Sequence, residues 1–271
     1  ASWDTRQLAP QAIMKNYIPS FDSPVSDCKF VLLDGDDYLA EMTIGRLPCK
    51  TPIQAQNIVD KIIEYDTTKP DNWWKKFLFI SGGYGLSEEE QMYNTARYRI
   101  SPYISDITNP FRLCGDTITA ALYLTHAVSG FSMSNHIISK INEGCSWVNY
   151  LGHGAPSVMQ VGGWDPPILN NKGKYPVLAT FSCKNGGFAE NNVEATNELY
   201  MREKDKGVVA AFGTTGYGFT TIDEEFNSLL FFSMADVSFR RRKLGDLLFN
   251  TKRLFITDRE SDIKYVNIFN Q

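Results

Sequence analysis

Four short stretches of this chain, FLFIS, CSWVNYL, VLATFS and GVVAAFG, are apolar almost throughout and show no polar alternation. A strand with one wet face alternates apolar and polar side chains, so a continuous apolar run needs cover on both faces. Between the runs lie segments with helical spacing. Strands of this kind interleaved with helices specify an α/β fold with a mainly parallel central sheet and helices on both faces.

The helical segments carry their own punctuation. In TPIQAQNIVDKIIEYD, Thr51 stands as N-cap with Pro52 at the first helical position, and Ile58, Ile62 and Tyr65 share a buried face. SEEEQMYNTARYRI begins with Ser87 as a capping residue and an acidic first turn, while SMSNHIISKINEG opens at a serine cap and stops at Gly144. Further helices are expected from Glu194 to Lys204, near Asp223 to Ala235, and from Leu244 to Leu254. Before Thr51 the turn formers of SFDSPVSD and LDGDD surround the apolar run Phe30 to Leu33, which predicts a loop-rich beginning with one strand. No internal repeat or linker interrupts the 271 residues, so a single domain is expected.

The totals exclude several function classes. A formal charge of -4 with scattered basic residues speaks against a nucleic-acid partner; the one cluster, Arg240 to Lys243, reads as a solvated helix start. No 18-residue apolar span is present, so no membrane helix is expected. Cys28, Cys49, Cys114, Cys145 and Cys183 show no CxxC spacing, which argues against a zinc site or a redox pair. The opening ASWDTRQ has no basic and apolar leader, as a mature or trimmed chain also would not.

Two loops carry chemistry. VNYLGHG places His153, and LATFSCKNGG places Cys183, directly after interior strands, where ligands collect in open α/β sheets. A thiolate attacks carbonyl carbon, and a neighbouring imidazole generates that thiolate or receives its proton. Gly152 and Gly154 relieve crowding around His153, and the amides of Gly154 and Cys183 are candidate donors to an oxyanion. A packed thiol and a locally satisfied imidazole are the plainer alternative. It is the preferred reading for His126 and His136, and the other four cysteines read as inert packing.

These motifs resemble those of the gingipain-like cysteine peptidases, family C25 of clan CD, which share the caspase-like fold. The histidine segment VNYLGHG, the cysteine strand LATFSCKNGGF, the approach DGDDYLAEMTIGRLPCKTPIQAQNIVDKIIEYD and the wall segment GVVAAFGTTGYGF occur in the family's order. The resemblance implies a caspase-like three-layer sandwich. It implies one catalytic domain over 1–271, with 1–70 as a remnant of an amino-terminal subdomain and 71–271 as the catalytic subdomain.

By the same resemblance Cys183 is the nucleophile, His153 the general acid/base, and Gly154 with Cys183 the oxyanion donors. Thr214, Thr215, Gly216 and Tyr217 would line the primary pocket. Asp223 would either hold a Lys or Arg side chain there or, as the favoured reading, cap the helix that follows. An acid orienting the histidine is expected after the strand FLFIS; Glu90 is the candidate, with Glu88 and Glu89 as rivals. The implied activity is an endopeptidase acting on protein or peptide substrate through an acyl-enzyme, without metal or organic cofactor. A sortase-like transpeptidase of type IX secretion and a non-catalytic binding module on the same fold are the alternatives. A pro-segment or a missing amino-terminal part is an implied partner, and the implied location is secreted or on a bacterial cell surface.

Overall fold

The computed structural model of the protein describes residues 18–257, apart from 22–23, 36–39, 163–164, 191 and 237–242. Its strands are β1 (Lys76–Ser81), β2 (Asp116–Ala121), β3 (Trp147–Leu151), the hairpin pair β4 (Gly154–Ala155) and β5 (Val158–Met159), β6 (Val177–Phe181) and β7 (Ala210–Gly213). Five of them form one parallel sheet in the order β2-β1-β3-β6-β7, with β4 and β5 standing apart as a small antiparallel ribbon. The helices are α1 (Pro52–Thr67), α2 (Leu86–Asn94), α3 (Leu122–Ala127), α4 (Met133–Glu143), α5 (Thr196–Arg202), α6 (Thr220–Ala235) and α7 (Leu244–Thr257).

The apolar runs become strands covered on both sides, as their lack of alternation demands. Successive side chains of β1 part company: Leu78 and Ile80 join Ile58 of α1 and Ile137 and Ile141 of α4 on one face. Phe77 and Phe79 join Phe226, Leu230 and Phe231 of α6 and Phe255 of α7 on the other. That second face is aromatic, with the rings of Phe79 and Phe231 5.2 Å apart and those of Phe226 and Phe255 5.5 Å apart. The result is the expected three-layer α/β sandwich.

Local signals hold in part. Thr51 caps α1, its Oγ1 accepting from the Gln54 N–H at 3.2 Å with Pro52 as the first helical residue. Gly144 ends α4 at φ 106°, where an L side chain is strained. Two expectations fail. Phe30 to Leu33 is not a strand; Cys28–Phe30 is a single 3-10 turn that the Val31 N–H closes on the Cys28 carbonyl. Ser87 does not cap α2, because the chain turns at Gly85, φ 83°, and is already helical at Leu86. One strand was not among those expected: Asp116–Ala121, in an apolar run that continues into α3, forms one edge of the sheet, with β7 at the other. The basic cluster at Arg240, Arg241 and Arg242 lies outside the described residues. No helix of the described residues is long and apolar enough to cross a membrane.

Candidate active site

Strand order reverses direction at β1, whose sequence neighbour β2 lies on one side and β3 on the other. A crevice opens at the carboxyl ends of strands at such a point. Three loops meet there: Gly82 to Glu88 after β1, Gly152 to Gly154 after β3, and Ser182 to Gly187 after β6. His153 and Cys183 line one cavity of about 30 Å³, together with Met92, Gly218 and Asp223. The two side chains that sequence placed at strand ends thus face the same space.

The imidazole is held from several directions. Its Nε2 lies 3.1 and 3.0 Å from the two Glu88 carboxylate oxygens. The Tyr84 ring stacks on it at 4.0 Å between centroids and 19° between planes. Its backbone carbonyl accepts from the Tyr150 hydroxyl at 2.5 Å and from the Gln160 N–H at 2.9 Å. Gln160 then ties this hairpin to the loop after β1, its side chain accepting from the Gly83 N–H at 2.9 Å and donating to the Gly83 carbonyl at 2.6 Å. Burial works against charge on Glu88, but the Tyr84 N–H and the His153 ring outweigh it and hold the carboxyl below its usual range.

The acid beside His153 is therefore Glu88, not Glu90. Glu90 points to solvent, and the third rival, Glu89, pairs with His126 at 3.3 Å. Side chains two residues apart on a helix leave in nearly opposite directions, so only one of these acids can face the imidazole.

The nucleophile loop is tightly built. Lys184 adopts φ 59°, the left-handed region, directly after Cys183. Its N–H donates to the Gly216 carbonyl at 2.8 Å, the Gly186 N–H to the Thr214 carbonyl at 3.0 Å, and the Thr214 hydroxyl to the Ser182 carbonyl. Cys183 Sγ stands 3.9 Å from the Gly218 carbonyl. Thr214, Thr215 and Gly216 are thus buried as a brace beneath the loop, and Tyr217 is exposed at its rim. Of the loop from Thr214 to Thr220 that the resemblance assigned to the primary pocket, Gly218 and Thr220 line the cavity shared by Cys183 and His153.

Asp223 is not a cap. Phe219 holds the N-cap position of α6, and Asp223 sits in its first turn, 3% exposed, on the cavity lining. Burial first, then the neighbouring Glu224, pushes its carboxyl up to about 8.

One residue at the centre of the site was not singled out from sequence. Asn185 is fully buried, accepts from the Ser182 hydroxyl, and places its amide nitrogen 2.6 Å from the Ala155 carbonyl, 3.1 Å from that of Val158 and 3.1 Å from Thr196 Oγ1. It locks the cysteine loop to the hairpin that follows the histidine. Because the Gln160 N–H donates to the His153 carbonyl, those two residues form the bonded pair of the hairpin and Gly154–Met159 the open one. The Gly154 amide consequently turns away from β5.

Both glycines of GHG are required by close approach. A Cβ on Gly152 would fall 2.6 Å from the Tyr150 hydroxyl, and one on Gly154 would fall 2.7 Å from Asn185 Oδ1. The remaining cysteines are free thiols, and Cys145 is pushed up to about 12 by burial. Cys114 is exposed and so does not fit the packing role expected of it.

A thiol and a carboxylate-paired imidazole stand at the tips of neighbouring parallel strands, in a sheet clad by helices on both faces, an α/β sandwich of caspase-like type. The chain belongs to peptidase family C25, whose sequence model matches residues 1–270. It is 27% identical over 207 residues to Lys-gingipain W83 of Porphyromonas gingivalis, covering 70% of this chain and 10% of that protein. It is 26% identical over 198 residues to gingipain R2 of the same species, covering 70% and 26%.

Among solved structures, it resembles the Arg-specific cysteine proteinase gingipain R (RgpB) with a TM-score of 0.76 at 21% identity, covering 94% of this chain and 59% of that one. The complex of RgpB pro- and mature domains matches with a TM-score of 0.74 at 21% identity, covering 93% and 60%. The chain therefore spans about a quarter or less of these curated relatives and about three fifths of the solved chains.

Proposed function

We propose that the protein is an endopeptidase in which Cys183 is the nucleophile and His153 the general acid/base. The Cys183 thiolate adds to the scissile carbonyl carbon, and the carbonyl π electrons move to oxygen. The amides of Gly154 and Cys183 donate to that oxyanion. As it collapses, the C–N bond breaks and the imidazolium of His153 gives its proton to the departing amine. Water then adds to the thioester, His153 takes its proton, and the acid product leaves with the thiolate restored. Glu88, paired with Nε2, fixes the ring so that Nδ1 faces the reaction.

The observation that carries this reading is the shared cavity of Cys183 and His153, with Glu88 on the far side of the ring. The test is cleavage of a degenerate peptide library by the wild type and by Cys183→Ala and His153→Ala. Product formation by wild type alone is the expected result; equal cleavage by Cys183→Ala would overturn it.

Two further elements belong to the proposal. A pro-segment is a partner, supported by the relative solved as a complex of pro- and mature domains. Export to the outside or surface of a bacterium is the second, and the bacterial source of the matched gingipains supports it.

A further inference from the structure

The geometry points to Tyr84 as the positioning residue for the general acid, the side chain that sets the plane of the His153 ring so that a proton can pass to a departing amine. This inference rests on the peptidase reading above and deepens it. An imidazole turns about its Cβ–Cγ bond, and that torsion has a broad preference. Nε2 lies close to the turning axis, so the Glu88 oxygens 3.1 and 3.0 Å away anchor the tip of the ring and constrain its rotation little. Nδ1 lies off the axis and swings as the ring turns. A contact on the face of the ring stops that swing, and Tyr84 supplies one, parallel to within 19° with 4.0 Å between centroids.

Tyr84 is itself held against the two groups it serves. Its N–H donates to Glu88 Oε2 at 2.6 Å, so the carboxylate and the stacked ring come from one turn of chain. Gly83 and Gly85 flank it at φ 137° and 83°, which L side chains rarely adopt, and they fold the chain back so that ring and carboxylate reach the same imidazole. Gly83 is bonded through both its N–H and its carbonyl to the Gln160 side chain, and the Gln160 backbone N–H donates to the His153 carbonyl at 2.9 Å. The loop is thus tied to the backbone of the residue it orients. Tyr84 is 71% exposed, so its ring contributes little to the core and its effect falls on the imidazole.

The consequence is confined to one step. A peptide nitrogen leaves with a proton, and a well-placed general acid contributes about 10²–10⁴-fold, whereas a displacement of about 1 Å can cost roughly 10²-fold. A p-nitrophenolate leaves an ester as a stable anion and takes no proton with it. Loosening the ring should therefore slow acylation by an amide and spare acylation by an activated ester, while a loss of fold or of thiolate slows both alike.

The test compares kcat/KM of the full chain on degenerate peptides and on p-nitrophenyl esters of the same degenerate acyl halves. Tyr84→Leu keeps apolar bulk and removes the flat face; it should lower the amide-to-ester ratio about tenfold, and Tyr84→Phe should keep that ratio within about twofold of wild type. An unchanged ratio in Tyr84→Leu, whether the two rates hold or fall together, refutes the inference. So does an equal loss in Tyr84→Phe, which would move the effect to the hydroxyl. With three histidines in the chain, the ring C–H signals of His153 can be assigned by NMR against His153→Ala, and a stacked aromatic ring shifts them upfield. The shift should be present in wild type and Tyr84→Phe and lost in Tyr84→Leu; its absence from wild type refutes the stack without reference to turnover. Each of these failures leaves the peptidase reading standing. Absence of peptide cleavage by wild type, or equal cleavage by Cys183→Ala, refutes that reading and this inference with it.

Discussion

Replacing Asn185 by alanine should damage catalysis more than it damages the thiol. The side chain is fully buried, and its loss strands the Ala155 and Val158 carbonyls and the Ser182 hydroxyl. Each buried group left unpaired costs about 1–3 kcal/mol, part of which the hairpin's own bonds restore, so the net loss is about 3–5 kcal/mol. Against a typical total of about 5–15 kcal/mol the variant still folds, and for a chain of this size its melting temperature should drop by roughly 10 °C.

The catalytic loss has a separate origin. Without the amide clamp, the hairpin bearing Gly154 is no longer held against the loop bearing Cys183, and loss of one oxyanion donor costs about 10²–10³ in kcat. Thermal melting, peptide turnover and iodoacetamide alkylation of Cys183 separate the effects. Alkylation forms no oxyanion, so its rate should stay near wild type while kcat falls. A variant that melts within about 2 °C of wild type and keeps its kcat would show the clamp to be idle.

Glu88→Gln should lower kcat roughly 10- to 100-fold by removing the charge that fixes and supports the imidazolium, whereas Glu90→Gln should change it little. Equal losses in the two variants would refute the assignment of the acid. Burial raises the Asp223 carboxyl from 3.8 to about 8. The native state therefore keeps a proton that the unfolded chain releases between these values, so stability is full below about pH 4 and declines as pH rises toward 8. Asp223→Asn should abolish that decline, seen as urea midpoints compared at about pH 5 and about pH 7.5; midpoints that fall in parallel in both proteins would place the effect elsewhere. Lys61, 2% exposed, donates to the Tyr200 and Lys206 carbonyls at 3.2 and 3.1 Å and pins α1 to the end of α5. Lys61→Ala should cost about 2–4 kcal/mol in denaturant unfolding with kcat unchanged, and a change of under about 0.5 kcal/mol would contradict it.

The runs that became β1, β3 and β6 were legible because burial on both faces leaves a continuous apolar signature, and β7, a partly buried edge strand, was legible from the same kind of run. The edge strand β2 escaped because its Asp-Thr-Ile-Thr-Ala-Ala is half exposed and merges with a helix, so neither period dominates. Cys183 and His153 could be placed by strand ends alone. Choosing among Glu88, Glu89 and Glu90 required the phase of α2, which is set by the turn through Gly83 and Gly85 at φ 137° and 83°. Two glycines permit that turn but do not announce it. Asn185 looked like part of a glycine-rich turn, because three of its four partners, Ala155, Val158 and Thr196, come from other segments and only the assembled loops reveal them.

Glu88 and His153 meet across 65 residues of chain, and Cys183 arrives from a third strand later still. None of the three reaches the others until β1, β3 and β6 lie side by side, and such long loops close late in folding. Under the proposed mechanism, a nascent or partly unfolded copy carries a thiol without its base, and activity appears only together with the compact state that protects the chain from being cut.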